Sequence, residues 1–150
     1  MAYEQTFCML KPGILQRRIV GEVLTRLERK GLKLIAMKLI QIPRPLCEKH
    51  YEEHKGKGFY NDLVDYMTSG PVISMVVAGE NAIKFVRALS GATNPQDAAV
   101  GTIRGDYAMI TQNNVIHASD SPESARREID LFFEQDEIVE YEDGNGAWIS

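Results

Sequence analysis

Apolar and polar positions along the chain change their period several times, and each change marks an element. Gln5 to Leu10 is a short, mostly apolar run that reads as a buried strand, broken at once by Lys11-Pro12-Gly13. From Ile19 to Lys30 the period lengthens. Ile19, Val20, Val23, Leu24 and Leu27 recur at helical spacing, Arg26, Glu28, Arg29 and Lys30 fall largely on the opposite face, and Gly31 is a stop signal. Lys33 to Ile42 alternates imperfectly but is rich in Leu, Ile and Met, and Pro43 and Pro45 end it, which favours a second strand. Two short helical stretches follow, Leu46 to His54 and Phe59 to Ser69, separated by Lys55-Gly56-Lys57-Gly58. Pro71 introduces the most apolar strand, Val72 to Ala78, whose lack of alternation puts it in the middle of a sheet. Asn81 to Ser90 is helical again, with Ile83, Phe85, Val86 and Leu89 inward.

After Gly91 the pattern dissolves into ATNPQDAAVGTIRGD, a connection far longer than ordinary ones and therefore functional or disordered. Tyr107 to Ile110 and Val115 to His117 read as a strand or strand pair, and Pro122 to Glu134 as a helix with Ala125, Ile129, Leu131, Phe132 and Phe133 inward. The tail, Ile138 to Ser150, is acidic and then Gly-rich, and its Trp148 is expected to pack on the body or on a neighbouring subunit. Strand, helix, strand, helices, strand, helix, loop, strand, helix is the order of an α+β ferredoxin-like sandwich: a four-stranded antiparallel sheet, with the helices expected on one face. No linker, repeat or low-complexity segment divides it, so residues 1–150 are expected to form one domain.

Composition narrows the class. The chain has 150 residues, 44% hydrophobic and 25% charged, which suits an ordinary globular protein large enough to bury a core without staples. No segment approaches a membrane-spanning length, and MAYEQTFCMLKPG does not read as a secretory signal, so a cytoplasmic location is expected. Cys8 and Cys47 make neither a disulfide framework nor a metal knuckle and are expected to be reduced and structural. A net charge of −4 argues against a dedicated nucleic-acid surface, so an anionic ligand has to be held by a local cluster.

His117, in Asn113 to Glu123 (NNVIHASDSPE), is the centre of the candidate chemistry. Val115 and Ile116 favour extended backbone and Asp120, Ser121 and Pro122 start helices, which places the imidazole between a strand and a helix entrance. An ordinary imidazole titrates near 6.5, so a neutral ring nitrogen offers a lone pair for nucleophilic attack. Glycine-rich nucleotide fingerprints are missing. Phosphate binding would instead fall to Lys11 after the first strand, Arg87, Thr93 and Arg104 around the long loop, and Asn114 ahead of His117. All sit at element ends or in loops, where several side chains can converge on one anion. His50 and His54 are one turn apart in H-Y-E-E-H, but a zinc-protease helix needs Glu where Tyr51 stands, and the two read as exposed helical histidines.

NVIHASDSPESARREI resembles the active-site signature of the nucleoside diphosphate kinase family, matching its N-x-x-H-x-S-D-S core at Asn114, His117, Ser119, Asp120 and Ser121. Further ordered blocks carry the resemblance along nearly the whole chain: TFCMLKPG, HYEEHKGKGFY, YMTSGPV, GATNPQDAAVGTIRGDY and the late Trp148. It implies a homo-oligomer, tetramer or hexamer, and a Mg²⁺-dependent ping-pong transfer of a γ-phosphoryl group from nucleoside triphosphates to diphosphates, without a dedicated set of protein metal ligands. By position it implies that His117 is the nucleophile, that Ser119 and Glu128 orient and polarise it, and that Lys11, Tyr51, Arg87, Thr93, Arg104 and Asn114 hold phosphates and ribose. Phe59 would stack on the base, and stacking tolerates every base. Three positions depart from the commonest family pattern. Ala118 replaces a frequent Gly, tolerable at negative φ, Gly56-Lys57-Gly58 is looser than usual, and Thr111 stands where an apolar β-branched residue is common. Two rivals are a nucleotide-binding module that has lost transfer, against which His117, Lys11, Arg104 and Asn114 together speak, and a nucleic-acid binder, against which the acidic charge speaks.

Overall fold

A computed structural model describes residues 2–149; Met1 and Ser150, the ends of the expected domain and tail, lie outside it. β1 (Tyr3–Leu10) runs antiparallel to β3 (Val72–Glu80), from Tyr3 opposite Glu80 to Leu10 opposite Ile73. β2 (Lys33–Ile40) pairs with the far edge of β3, and the short β4 (Ile116–Ala118) pairs only with Cys8, Met9 and Leu10 of β1. The order β2-β3-β1-β4, antiparallel throughout, is that of the expected ferredoxin-like sheet.

The helices cover both faces, not one. Between β1 and β2 lie the single turn α1 (Ile14–Arg17) and α2 (Val20–Lys30). α3 (Arg44–His50) and α4 (Tyr60–Met67) precede β3, α5 (Ala82–Ser90) and α6 (Ile103–Tyr107) follow it, and α7 (Pro122–Phe132) follows β4. Phe7 and Met9 of β1 pack with Cys47 of α3, Val64 and Met67 of α4, and Ile129 and Phe132 of α7. Their neighbours Cys8 and Leu10, pointing the opposite way, pack with Val23 and Leu27 of α2, Val86 of α5 and Ile103 of α6. The sign of this was the missing alternation in Thr6–Leu10 and Val72–Ala78, every residue of which is buried.

Register fixes the direction of the candidate nucleophile. His117 lies opposite Met9 and so shares the face of Phe7 and Met9, toward α3 and α7, whereas Ile116 and Ala118 enter the second core. Ser121 starts α7 by accepting a hydrogen bond from the Ser124 N–H, the Ser124 hydroxyl accepts one in return from the Ser121 N–H, and Pro122 occupies the first turn. The helix then carries Ala125, Glu128, Ile129 and Phe132 inward, one stripe in which Glu128 is the only charge.

Other expectations change. The long connection is ordered by a 3₁₀ turn, Pro95–Asp97, and by α6, whose N-cap Thr102 accepts from the Gly105 N–H. Tyr107 therefore ends a helix, and Tyr107 to Ile110 is not a strand. Val115 precedes β4 with φ of 78° rather than opening it. Leu46 to His54 is not one helix: α3 starts earlier, at Arg44, and a 3₁₀ turn, Glu52–His54, follows Tyr51. Trp148, on α8 (Gly146–Ile149), is 86% exposed, so it does not pack on the body of this chain. Both cysteines are buried and free, with thiols pushed up by burial to about 12 for Cys8 and about 11 for Cys47, which makes them unreactive. Among the described residues no helix is long and apolar enough to cross a membrane.

Candidate functional site

Where β4 meets β1, a cleft of about 570 Å³ opens, within the usual range for small-molecule sites. Its wall includes Lys11, Arg87, Thr93, Arg104, Asn114, His117 and Glu128, brought together from six separate segments. Lys11 follows β1 directly, and its backbone N–H donates to Val115 O at 2.9 Å, which holds the cation beside the strand of His117. Asn114 and Val115 enter β4 through a tight turn in which the Ile116 N–H donates to Asn114 O at 2.9 Å, with Val115 as its central residue. A β-branched residue at positive φ costs about 1–3 kcal/mol and persists only where packing imposes it; Val115 is fully buried.

His117 is held at one nitrogen and open at the other. Nε2 lies 2.9 Å from Glu128 Oε1, and Ser119 Oγ donates to the same oxygen at 2.5 Å. Burial pushes the Glu128 carboxyl up, but the hydrogen bond and charge of His117, the His50 ring and the Ser119 hydroxyl together hold it below the usual range. An ionised Glu128 only accepts, so Nε2 carries the ring proton and Nδ1 keeps the lone pair. Among the described residues nothing bonds Nδ1, and the ring borders the cleft. Phe7 backs the ring, with centroids 6.0 Å apart. Ala118 has none of the positive φ values of the chain, so its extra methyl is accommodated.

The cations facing this ring have no acidic partners among the described residues. Lys11 is 8% exposed, and its pKa is pushed down to about 8 by burial and then by the Arg104 charge. Arg104 donates to Gly91 O at 2.8 Å and Ile116 O at 2.6 Å, leaves Nε without a partner, and is pushed down to about 10 by burial and by Arg87. Arg87 donates to Ala118 O at 3.2 Å. Asn114 donates to Thr93 O at 3.0 Å, and its Oδ1 is buried without a partner. Buried charge without a counter-charge is costly, and a site of this kind is stabilised by an incoming anion.

The structure does not bring every expected residue to the wall. Ser119 is buried behind His117, and Tyr51 is buried edge-on to His50, with centroids 4.4 Å apart and its hydroxyl pKa raised by burial. Phe59 is half exposed and packs on His54, which lines the cleft, with ring centroids 5.3 Å apart. His50 was misread. It is 3% exposed and faces the core beside Cys47 and Tyr51, an i, i+3, i+4 stripe along α3 that was the available signal. Arg127 was also missed; it donates to the carbonyls of Lys49 and His50 and pairs with Glu52, tying α3 and the turn after it to α7.

His50, His117 and Glu128 are the one group of potential metal ligands among the described residues, and there the hydrogen bond from His117 already occupies its Nε2 and one oxygen of Glu128. The carboxylates on the open side of the cleft are Asp120, Glu52 and Glu53. They suit a hydrated cation carried in by phosphates rather than a protein cage.

The sheet order and the cleft define an α+β sandwich with an imidazole, open at one nitrogen, set among cations. The nucleoside diphosphate kinase family model matches residues 4–138. The chain is 60% identical to a nucleoside diphosphate kinase of Archaeoglobus fulgidus over 97% of both chains, and 55% identical to one of Listeria monocytogenes over 97% of this chain and 99% of that one. Its fold is similar to a halophilic nucleoside diphosphate kinase from Halobacterium salinarum solved in complex with CDP, with a TM-score of 0.96 and 46% identity over 99% of both chains. This chain belongs to the nucleoside diphosphate kinase family.

Proposed function

We propose that the protein transfers the γ-phosphoryl group of a nucleoside triphosphate to a nucleoside diphosphate in two steps, through a phosphohistidine at His117. The observation that carries this is the Nδ1 lone pair at the wall of a cleft with three cations lacking acid partners, while Glu128 holds Nε2 at 2.9 Å. In the first step Nδ1 forms a bond to the γ-phosphorus, and the bond from phosphorus to the bridging oxygen breaks with its electron pair leaving on the diphosphate. In the second, a terminal oxygen of the acceptor diphosphate attacks the same phosphorus and the electron pair returns to Nδ1. The imidazole keeps its Nε2 proton in both, and Ser119 and Glu128 fix its orientation and offset the charge it gains.

Lys11, Arg87 and Arg104 neutralise the phosphates, where charge spreads over the transferring oxygens. Thr93 and Asn114 bind phosphate or ribose, and Tyr51, kept neutral, supports that wall. Phe59, half exposed beside His54, stacks on the base, which supports broad base tolerance. Mg²⁺ would be held by the nucleotide phosphates with Asp120 as the nearby carboxylate, and would supply charge neutralisation. The chain acts as one domain, 1–150, in the cytoplasm and without a dedicated nucleic-acid surface. Exposed Met37, Leu39, Val100, Met109 and Trp148 support a homo-oligomer, tetramer or hexamer, which light scattering would size.

Incubation with γ-labelled ATP and Mg²⁺ is expected to give an acid-labile, alkali-stable phosphoenzyme that His117→Ala abolishes. Label retained in His117→Ala would place the nucleophile elsewhere.

A further inference from the structure

Two imidazoles meet behind the cleft wall, His117 at its surface and His50 beneath it, and only His117 has hydrogen-bond partners. His50 closes α3 with both ring nitrogens buried and without a hydrogen bond. Its ring stands edge-on to that of His117, with centroids 4.9 Å apart and planes at 79°, and Phe132 packs edge-on to it at 5.3 Å. His50 Nδ1 is 4.0 Å from Glu128 Oε2, the carboxylate oxygen that neither His117 nor Ser119 engages. That gap is too long for a hydrogen bond but small enough for a side-chain adjustment to close. A buried N–H without an acceptor calls for a state of the molecule in which it has one.

We propose that His50 is a positioning residue for phosphoryl transfer: when His117 is phosphorylated, His50 donates its Nδ1–H to Glu128 Oε2, so that the carboxylate is fixed at both oxygens beneath the modified ring. This rests on His117 Nδ1 being the nucleophile. As the N–P bond forms and the departing diphosphate takes the electron pair of the broken P–O bond, the ring of His117 keeps its Nε2 proton and becomes positive. Glu128 must then stay ionised and stay in place. The groups facing His50 are Glu128 and Arg127 from α7, His117 from β4 and Lys11 after β1. A protonated His50 would repel the ring as its charge develops. Burial, reinforced by His117, pushes its pKa down to about 3, so His50 gives a hydrogen bond without adding charge. The edge-on contact also limits rotation of the His117 ring, which keeps Nδ1 toward the cleft.

Imidazole ¹H–¹⁵N spectra of the wild-type protein, free and after phosphorylation with ATP and Mg²⁺, test this directly. A slowly exchanging His50 Nδ1 proton gained in the phosphoenzyme is expected; a His50 ring protonated only at Nε2 in the phosphoenzyme overturns the proposal. In rapid quench, His50→Phe keeps an aromatic ring but no donor, and is expected to slow phosphorylation of His117 about tenfold or more, with nucleotide Kd within about twofold. His50→Asn, which returns an N–H near the position of Nδ1, is expected to recover most of that rate. A folded His50→Phe that phosphorylates within about twofold of wild type also overturns the proposal. Should that variant not fold, the wild-type spectra decide alone. Label retained in His117→Ala is a separate result that removes the nucleophile assignment itself, and no His50 variant can imitate it.

Discussion

Two lysines on different strands of the sheet have opposite surroundings. Lys33 opens β2, and its ammonium lies 3.0 Å from Glu140 and 2.8 Å from Tyr141 O, in a network where Tyr3 and Gln5 also donate to Glu140. Its pKa is raised, mainly by the hydrogen bond to Glu140. Lys11 follows β1, two strands away, is buried among Arg87, Arg104 and Asn114, has no carboxylate beside it, and is pushed down to about 8. At the β2 edge the fold satisfies its own charges: Lys38 likewise pairs with Glu137 and fastens the tail. In the cleft it leaves them for something that arrives from outside. Charge satisfied within the chain marks structure, and buried charge left without a counter-charge marks a binding site.

The largest expected break in that contrast comes from neutralising each lysine. Lys11→Met should lower kcat/KM by about 10²–10³, the cost of removing one preorganised donor from a developing anion. Lys33→Met should leave kcat/KM unchanged and cost at most about 1 kcal/mol in denaturant unfolding, as exposed pairs do. Equal kinetic losses from the two would dissolve the distinction. Arg104→Ala should lower kcat/KM about 10²-fold for purine and pyrimidine nucleotides alike, because it meets phosphate and not base. A base-selective loss counts against that placement.

A pH titration of nucleotide affinity sharpens the contrast without mutation. Only protonated Lys11 attracts phosphate, so affinity should hold below pH 8 and then fall by up to about tenfold per unit, until the higher pKa of the liganded lysine is reached. The stability contribution has the opposite sense: a lysine depressed to about 8 when folded makes the free protein more stable as pH rises from about 8 toward 10.5. Lys33→Met should leave the affinity profile unchanged, and Lys11→Met should flatten it; isothermal titration calorimetry would show both. The smallest effect is expected at Arg127. Arg127→Ala frees the carbonyls of Lys49 and His50 and loosens the segment carrying Tyr51 and Phe59, so KM should rise about two- to fivefold with kcat nearly unchanged. A fall in kcat with constant KM would mean that Arg127 acts on the chemistry instead.

Elements whose signal is local were legible in the chain. Val23 and Leu27 did lie on the buried face of α2, Val72 to Ala78 did form a central strand, and Ser121-Pro122 did open α7. Errors fell where a residue answers to distant neighbours. Tyr107 to Ile110 has strand-like side chains, but the Thr102 cap and the bonds of Asp106 to the Gly101 N–H and Arg26 wind the preceding residues into a helix that ends at Tyr107. His50 is polar enough to read as a surface residue, but it falls in the buried stripe with Cys47 and Tyr51. Of the two places expected for Trp148, the body of its own chain is excluded, since no described residue covers the indole, and the surface of a neighbouring subunit is left.

The chain's own order of residues determined its three long strands, most of its helices, and which side chains were candidates for chemistry, because period, caps and turn residues act over a few positions at a time. Only the tertiary structure decided that both sheet faces are covered, that His117 opposite Met9 turns toward Glu128, and that Lys11, Arg87, Arg104 and Asn114 share one wall. Those outcomes depend on register between strands far apart in the chain and on burial, and burial belongs to the packed molecule: the same lysine is an ordinary cation in an extended chain and a depressed one in the folded protein.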